Sequence, residues 1–237
     1  MGERDGVSRL VATIGFWSAL SGFLSFVVFT GCFVGIAILG PAAEWTTLDD
    51  YIAASSRSSQ SLQHVAQLSM LVFAPLFVVL LNCIHEVAVG DRKFLTRIGL
   101  SFGIAAMVLI SAMYFVQLGT VRLSLQSGHL DGIEPFLQFY PHAAILSLRM
   151  LGWTLFLGLS TLFIAPVFSG NRLDSVIRVA LLANGAVCLL GGVGYLLDSF
   201  WIVFLTVNFG MGAALIAAML ALTVRFHRLA SDRNAAA

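Results

Sequence analysis

The sequence predicts an all-α polytopic membrane protein, a six-transmembrane-helix bundle forming one integral membrane domain over residues 1–237. Three observations lead there. The chain is 59% hydrophobic and 11% charged, with a mean hydropathy of +0.93, whereas a soluble domain carries about 25% charged residues. Six nearly charge-free windows approach or exceed the roughly 20 residues needed to cross the hydrocarbon. Lys and Arg are shared unequally between the segments joining those windows, as the positive-inside rule describes.

The first helix is expected near 13–39. Its charge-free window is longer than a signal-peptide core of about 7–15 residues and closes on no small-residue cleavage site, so it reads as an uncleaved span. Gly31 and Gly35 within it form a GxxxG pair that permits close helix approach, and Ser18, Ser21 and Ser25 recur at helical spacing. An outer loop, 41–64, follows. Trp45, Leu48, Tyr51 and Ile52 among acids and serines suggest an interfacial helix there, and Ser55–Ser61 reads as flexible. The second helix is expected near 65–87, kinked at Pro75, and the third near 97–120. The second outer loop, 121–142, carries Arg122, His129, Asp131 and Glu134. It continues into Phe136, Leu137, Phe139 and Tyr140, an aromatic cluster expected on the membrane surface. Helices near 143–168, 175–197 and 199–225 complete the bundle, the last two joined by a short turn at Asp198.

Orientation follows from the basic residues. Ten of the 13 Lys and Arg fall on one side: Arg4, Arg9, Arg92, Lys93, Arg97, Arg172, Arg178, Arg225, Arg228 and Arg233. Only Arg57, Arg122 and Arg149 belong to the other. Both termini are therefore expected to be cytoplasmic, in a cell (inner) membrane, with the two long loops outside.

Several functions are excluded. A net charge of +1 offers no footprint for nucleic acid. Lys93, the only lysine, lies in a polar link, so no intramembrane Schiff base is available. Cys32, Cys83 and Cys188 sit in separate apolar runs and make neither a zinc set nor a disulfide framework. His85-Glu86 lacks the second histidine of a zincin motif and reads as a solvated helix end. His64, His129 and His142 share the outer side with Asp131 and Glu134 without the spacing of a compact metal site. Gly191-Gly192-Val193-Gly194 lies inside a span with no preceding strand, so it reads as close packing. No metal or cofactor is expected.

Arg149 is the most informative polar residue. A helix beginning near Pro141 would put it about 12 Å below the outer surface, where a guanidinium costs a few kcal/mol or more unless it pairs or snorkels. Asp198 is the leading partner and Glu134 the rival; either pair could be a structural staple. Ser111, Tyr114 and Gln117 share a face of the third helix. Asn208 lies deeper on the sixth, and Asn184, Cys188 and Gly192 line up on the fifth. Brought together, Tyr114, Gln117, Tyr140, His142, Arg149, Tyr195, Asp198 and Asn208 would wall a polar pocket open to the outer leaflet. For the two asparagines alone, interhelical hydrogen bonding is the simpler reading.

Tyr114–Leu118, Val121–Arg122, Tyr140–His142 and Ala165–Phe168 together resemble a group of small prokaryotic polytopic membrane proteins without an assigned activity. The resemblance implies that 114–168 is one unit and brings over no catalytic residue. Three classes of function follow. The first is a binding or accessory protein for a lipid-like or small amphiphilic ligand, with membrane lipids as partners. The second is an enzyme acting on an isoprenoid or lipid, with Asp198 or His142 as the acid. The third is a small-molecule transporter, for which the bilayer midplane is nearly empty of polar groups.

Overall fold

Hydrocarbon offers a backbone no hydrogen-bond partner, so each apolar run must satisfy its own amides by coiling into a helix. The computed structural model describes residues 8–39, 47–57, 60–138, 140 and 143–235, which contain helices and turns and no strand. We label the helices α1 (Arg9–Leu39), α2 (Leu48–Arg57), α3 (Gln60–Val87), α4 (Arg92–Ser127), α5 (Ala144–Val167), α6 (Arg172–Leu196) and α7 (Phe200–Asp232). All but α2 are long and apolar enough to cross a membrane.

Local chemistry sets several ends. Thr47 caps α2, its hydroxyl accepting from the Asp50 N–H (3.2 Å) and lying 2.8 Å from the Asp50 carboxylate. Asn171 caps α6, its side-chain oxygen accepting from the Leu173 and Asp174 N–H groups. Gly128, at φ 73°, ends α4 in the left-handed conformation that closes helices.

Three helices outrun their sequence-predicted limits. Arg122 ends a charge-free window, yet α4 runs on to Ser127; α3 starts at Gln60 and α7 reaches Asp232. A polar residue changes which solvent a helix tolerates without breaking the helix. At about 1.5 Å per residue, the 36 residues of α4 extend about 54 Å, against about 30 Å of hydrocarbon. Much of the expected outer loop 121–142 is therefore helix. The 55–61 run is also helical on both sides of 58–59, which lie outside the described residues. Pro75 sits within the unbroken α3.

The six long helices form a closed ring in chain order: α1 on α3, α3 on α4, α4 on α5, α5 on α6, α6 on α7, and α7 back on α1. The start of α1 and the end of α7 lie on one face, where Phe16 and His227 bring their rings to 5.4 Å. We call this the terminal face and the opposite one the loop face. Large buried side chains from α1, α3 and α5 meet inside the ring, with Phe26 at 5.5 Å from Phe73 and 6.3 Å from Trp153. Close backbone approach occurs between α5 and α6, where a Cβ on Gly185 would stand 2.9 Å from the Gly158 carbonyl. The Gly191–Gly194 run packs as expected: a Cβ on Gly191 or Gly192 would meet the Thr206 or Thr154 hydroxyl at 2.8 Å. By contrast, Gly31 faces nothing within 4 Å, and Gly35 only the Leu62 side chain. Among the described residues the GxxxG pair of α1 therefore makes no close backbone approach, its one neighbour being the Leu62 side chain of α3.

Ties on the terminal face join neighbouring helices. The Asp174 carboxylate pairs with Arg225 Nε at 2.9 Å and accepts from the Gly170 N–H at 3.1 Å. His85 Nδ1 lies 2.8 Å from Thr96 Oγ1, so His85 makes a half-buried α3–α4 contact, while Glu86 beside it is exposed as expected of a solvated helix end. At the loop face, Val121, Ile133 and Leu137 form a second small core against which Leu48 of α2 and Tyr140 pack. Leu137 is fully buried there, whereas Phe136 is exposed. Phe139 is outside the described residues.

Candidate functional site

The loop-facing half of the ring is irregular in three of its helices. Gln117–Val121 of α4, Leu151–Phe156 of α5 and Phe204–Met211 of α7 form π turns. The Arg122 N–H reaches back five residues to the Gln117 carbonyl, and the Leu157 N–H to that of Gly152. Each widened turn shifts the side-chain register of its helix, and such turns recur at functional sites.

The turns of α5 and α7 border one cavity of about 60 Å³, whereas that of α4 borders a separate crevice. Phe26, Phe29, Thr30 and Phe33 of α1 form one wall, and Tyr114 of α4 with Arg149 and Trp153 of α5 the opposite one. Val207, Asn208, Met211 and Gly212 of α7 close the third side, with Gln138 from the loop. Tyr114 is buried and meets Phe29 edge-on at 6.4 Å. On its α7 side Asn208 is exposed and a Cβ on Gly212 would meet nothing within 4 Å, so the cavity is open there.

Arg149 is the cation of this site. Because α5 begins at Ala144, Arg149 lies about 8 Å below the helix start, shallower than a start at Pro141 would place it. Among the described residues, Tyr114 and Tyr195 are close enough to act electrostatically on its guanidinium. Tyr195 holds Ser147, two residues from Arg149, through a 2.8 Å hydroxyl–hydroxyl bond.

A buried amide holds the α7 side in shape. Asn184 of α6 is fully buried; its Nδ2 donates to the Met211 carbonyl at 3.1 Å, and its Oδ1 accepts from Thr161 at 3.4 Å. Met211 ends the π turn that carries Asn208. This agrees with the interhelical reading of Asn184.

Of the residues singled out from sequence, Tyr114, Arg149 and Asn208 share the cavity, with Tyr195 beside them. Gln117 donates to the Phe136 carbonyl at 2.6 Å and faces a different crevice. Tyr140 packs against both the main core and the small loop core. His142 lies outside the described residues. The expected Arg149–Asp198 pair is not formed, nor a pair with Glu134; among the described residues the ion pair is Asp174–Arg225. Asp198 follows the end of α6 at φ 52° and is exposed, whereas Tyr195 is still on the helical face toward α5. Asp198 is not among the residues that line the cavity.

Sequence reading missed the α1 wall, although Phe26, Phe29 and Phe33 follow the i, i+3, i+7 spacing of one helical face. It also missed a second crevice of about 220 Å³ between α3 and the projecting end of α4, lined by Gln60, Gln63, His64, Gln67, Gln117, Val121, Arg122, Leu125 and Gln126. The two hollows share a wall: Gln67, lining the crevice, is bonded at 3.2 Å to Gln138, lining the cavity. Among the described residues, no group of three or more His, Cys, Asp or Glu side chains could hold a metal ion. Comparison with family models, with curated proteins and with solved structures finds no match to this chain.

Proposed function

We propose that the chain is a binding or accessory protein of a prokaryotic cell membrane, holding a lipid-like or small amphiphilic ligand in its loop-facing cavity. The observation that carries this is the placing of Arg149 at an aromatic-walled cavity that is open on its α7 side. Its guanidinium presents charge-assisted donors that suit an anionic or carbonyl group of such a ligand. Tyr114 and Asn208 add a phenol and an amide beside it. Phe29, Phe33 and Trp153 offer the apolar surface that the rest of such a ligand needs. At about 60 Å³, the cavity is far smaller than the roughly 300–1,000 Å³ of a drug-sized site. It therefore admits a head or a short segment while the remaining chain stays in the bilayer through the opening on the α7 side.

The termini are cytoplasmic in this reading, and the loop face is outside. The support is the excess of Lys and Arg toward the terminal face.

Native mass spectrometry of the purified protein tests the ligand. The wild type retains an amphiphile, Arg149→Ala loses it by about tenfold, corresponding to about 1.4 kcal/mol, and Arg149→Lys restores part of it. Asp198→Asn, outside the cavity, leaves retention unchanged. Full retention by a folded Arg149→Leu protein would end the proposal.

A further inference from the structure

The crevice between α3 and the end of α4 carries chemistry that the membrane-level cavity does not use. Arg122 lies about 45 Å along α4 from Arg92, more than the roughly 30 Å thickness of the hydrocarbon. The crevice therefore stands at headgroup or aqueous level. Arg122 Nε donates to the Leu118 carbonyl at 2.8 Å, and its two terminal nitrogens make no bond among the described residues. His64 stands in the same wall, and among the described residues no carboxylate lines the crevice.

The second observation is Gln67. It is 3% exposed, its Nε2 is spent on Gln138, and its buried Oε1 has no hydrogen-bond partner. Exchanging O and N in both glutamines preserves that bond and leaves a donor in the same open position. A hydroxyl satisfies either arrangement, since it can donate or accept.

We propose that this crevice is a binding site for a phosphate ester that carries hydroxyls. The phosphate sits against the terminal nitrogens of Arg122, whose planar fork matches it. A hydroxyl of the esterified polyol meets the open amide atom of Gln67, and Gln63 and Gln126 border the remaining polar edge. A volume of about 220 Å³ suits a headgroup-sized molecule and excludes a whole lipid. The ester is either the headgroup of phosphatidylglycerol, a diester, or soluble glycerol phosphate, a monoester; both present non-bridging phosphate oxygens and glycerol hydroxyls.

The test uses the full chain in phosphatidylcholine nanodiscs. Calorimetric titration with glycerol phosphate and with inorganic phosphate is compared with native mass spectrometry after doping the discs with phosphatidylglycerol. Binding of glycerol phosphate at least tenfold tighter than inorganic phosphate identifies the soluble ester. Selective retention of phosphatidylglycerol without soluble binding identifies the lipid. In either case Arg122→Gln lowers affinity at least tenfold and Gln67→Leu removes the preference for the hydroxylated ester. Gln63→Leu, at a less buried position, weakens binding should Gln67→Leu fail to fold. Arg149→Leu leaves this binding intact, which separates the site from the membrane-level cavity. No binding of either ester, or equal binding of inorganic phosphate and glycerol phosphate, overturns the assignment.

Discussion

Asn184→Ala is the sharpest probe of how the cavity keeps its shape. The substitution deletes the amide that donates to the Met211 carbonyl at 3.1 Å and removes the acceptor used by Thr161 and, at 3.6 Å, by Cys188. The two acceptor-side losses are small. Thr161 is also within reach of the Leu157 and Gly158 carbonyls, and a thiol is a weak donor. The Met211 carbonyl is the larger loss, since it ends the widened turn and the buried Asn184 amide donates to it. Leaving a buried polar group unsatisfied costs about 1–3 kcal/mol, while side-chain hydrogen bonds inside membranes average about 0.6 kcal/mol. That lower figure reflects groups that find other partners in the unfolded membrane state, so the carbonyl should lie above it. With a small void added, the expected loss is about 2 kcal/mol, within the range usual for a broken buried bond. Reversible unfolding in mixed micelles, followed by helical circular dichroism during SDS titration, reads it directly. Thr161→Val serves as the control at about 0.5 kcal/mol. Amphiphile retention falls in Asn184→Ala as well, since the turn it tethers carries Asn208. A change below about 0.5 kcal/mol with retention intact would refute the reasoning, because the bond would then hold nothing.

Two further outcomes are expected. Gly185→Ala forces a Cβ to within 2.9 Å of the Gly158 carbonyl and should cost about 1–3 kcal/mol by overpacking, whereas Gly31→Ala, facing open space, should leave the unfolding midpoint within experimental error. A loss at Gly31 matching that at Gly185 would show that α1 packs on something outside this chain. For topology, a membrane-impermeant maleimide should label Ser127→Cys in intact cells and Lys93→Cys only after lysis. The three native cysteines are buried, so background stays low; the reverse pattern would invert the proposed orientation.

The six crossings were legible in the sequence because hydrocarbon tolerates few departures: a span must be a long, nearly charge-free helix, and composition alone reveals it. Arg149, Tyr114 and Asn208 could be grouped for a related reason, since depth can be counted along each helix from its outer end. What depth does not give is direction around the axis. Asp198 sits at the right level but beyond the last turn of α6, and Tyr195 takes the place beside Arg149 that charge arithmetic gave to the acid. The ends of α3, α4 and α7 were misplaced because Arg122 and its like change the tolerated solvent without stopping a helix. The π turns have no residue signature; nothing in Gln-Leu-Gly-Thr-Val at 117–121 announces a five-residue reach. Gln67 and Gln138 are 71 positions apart, and only the folded loop brings them together. Gly31 and Gly35 show a further limit, because small residues state that an approach is permitted and never by whom.

The length of α4 has one more consequence. A single unbroken helix cannot have a single environment when it is nearly twice as long as the hydrocarbon is thick. Below Gln117 its amides are shielded by lipid and neighbouring helices; above it they face water, phosphate groups and the small loop core. Amide hydrogen exchange along this one element should therefore be slow over its first two thirds and fast beyond. The residue at which it quickens would draw the bilayer's edge onto the chain, with the widened turn at 117–121 as the mark to compare it with.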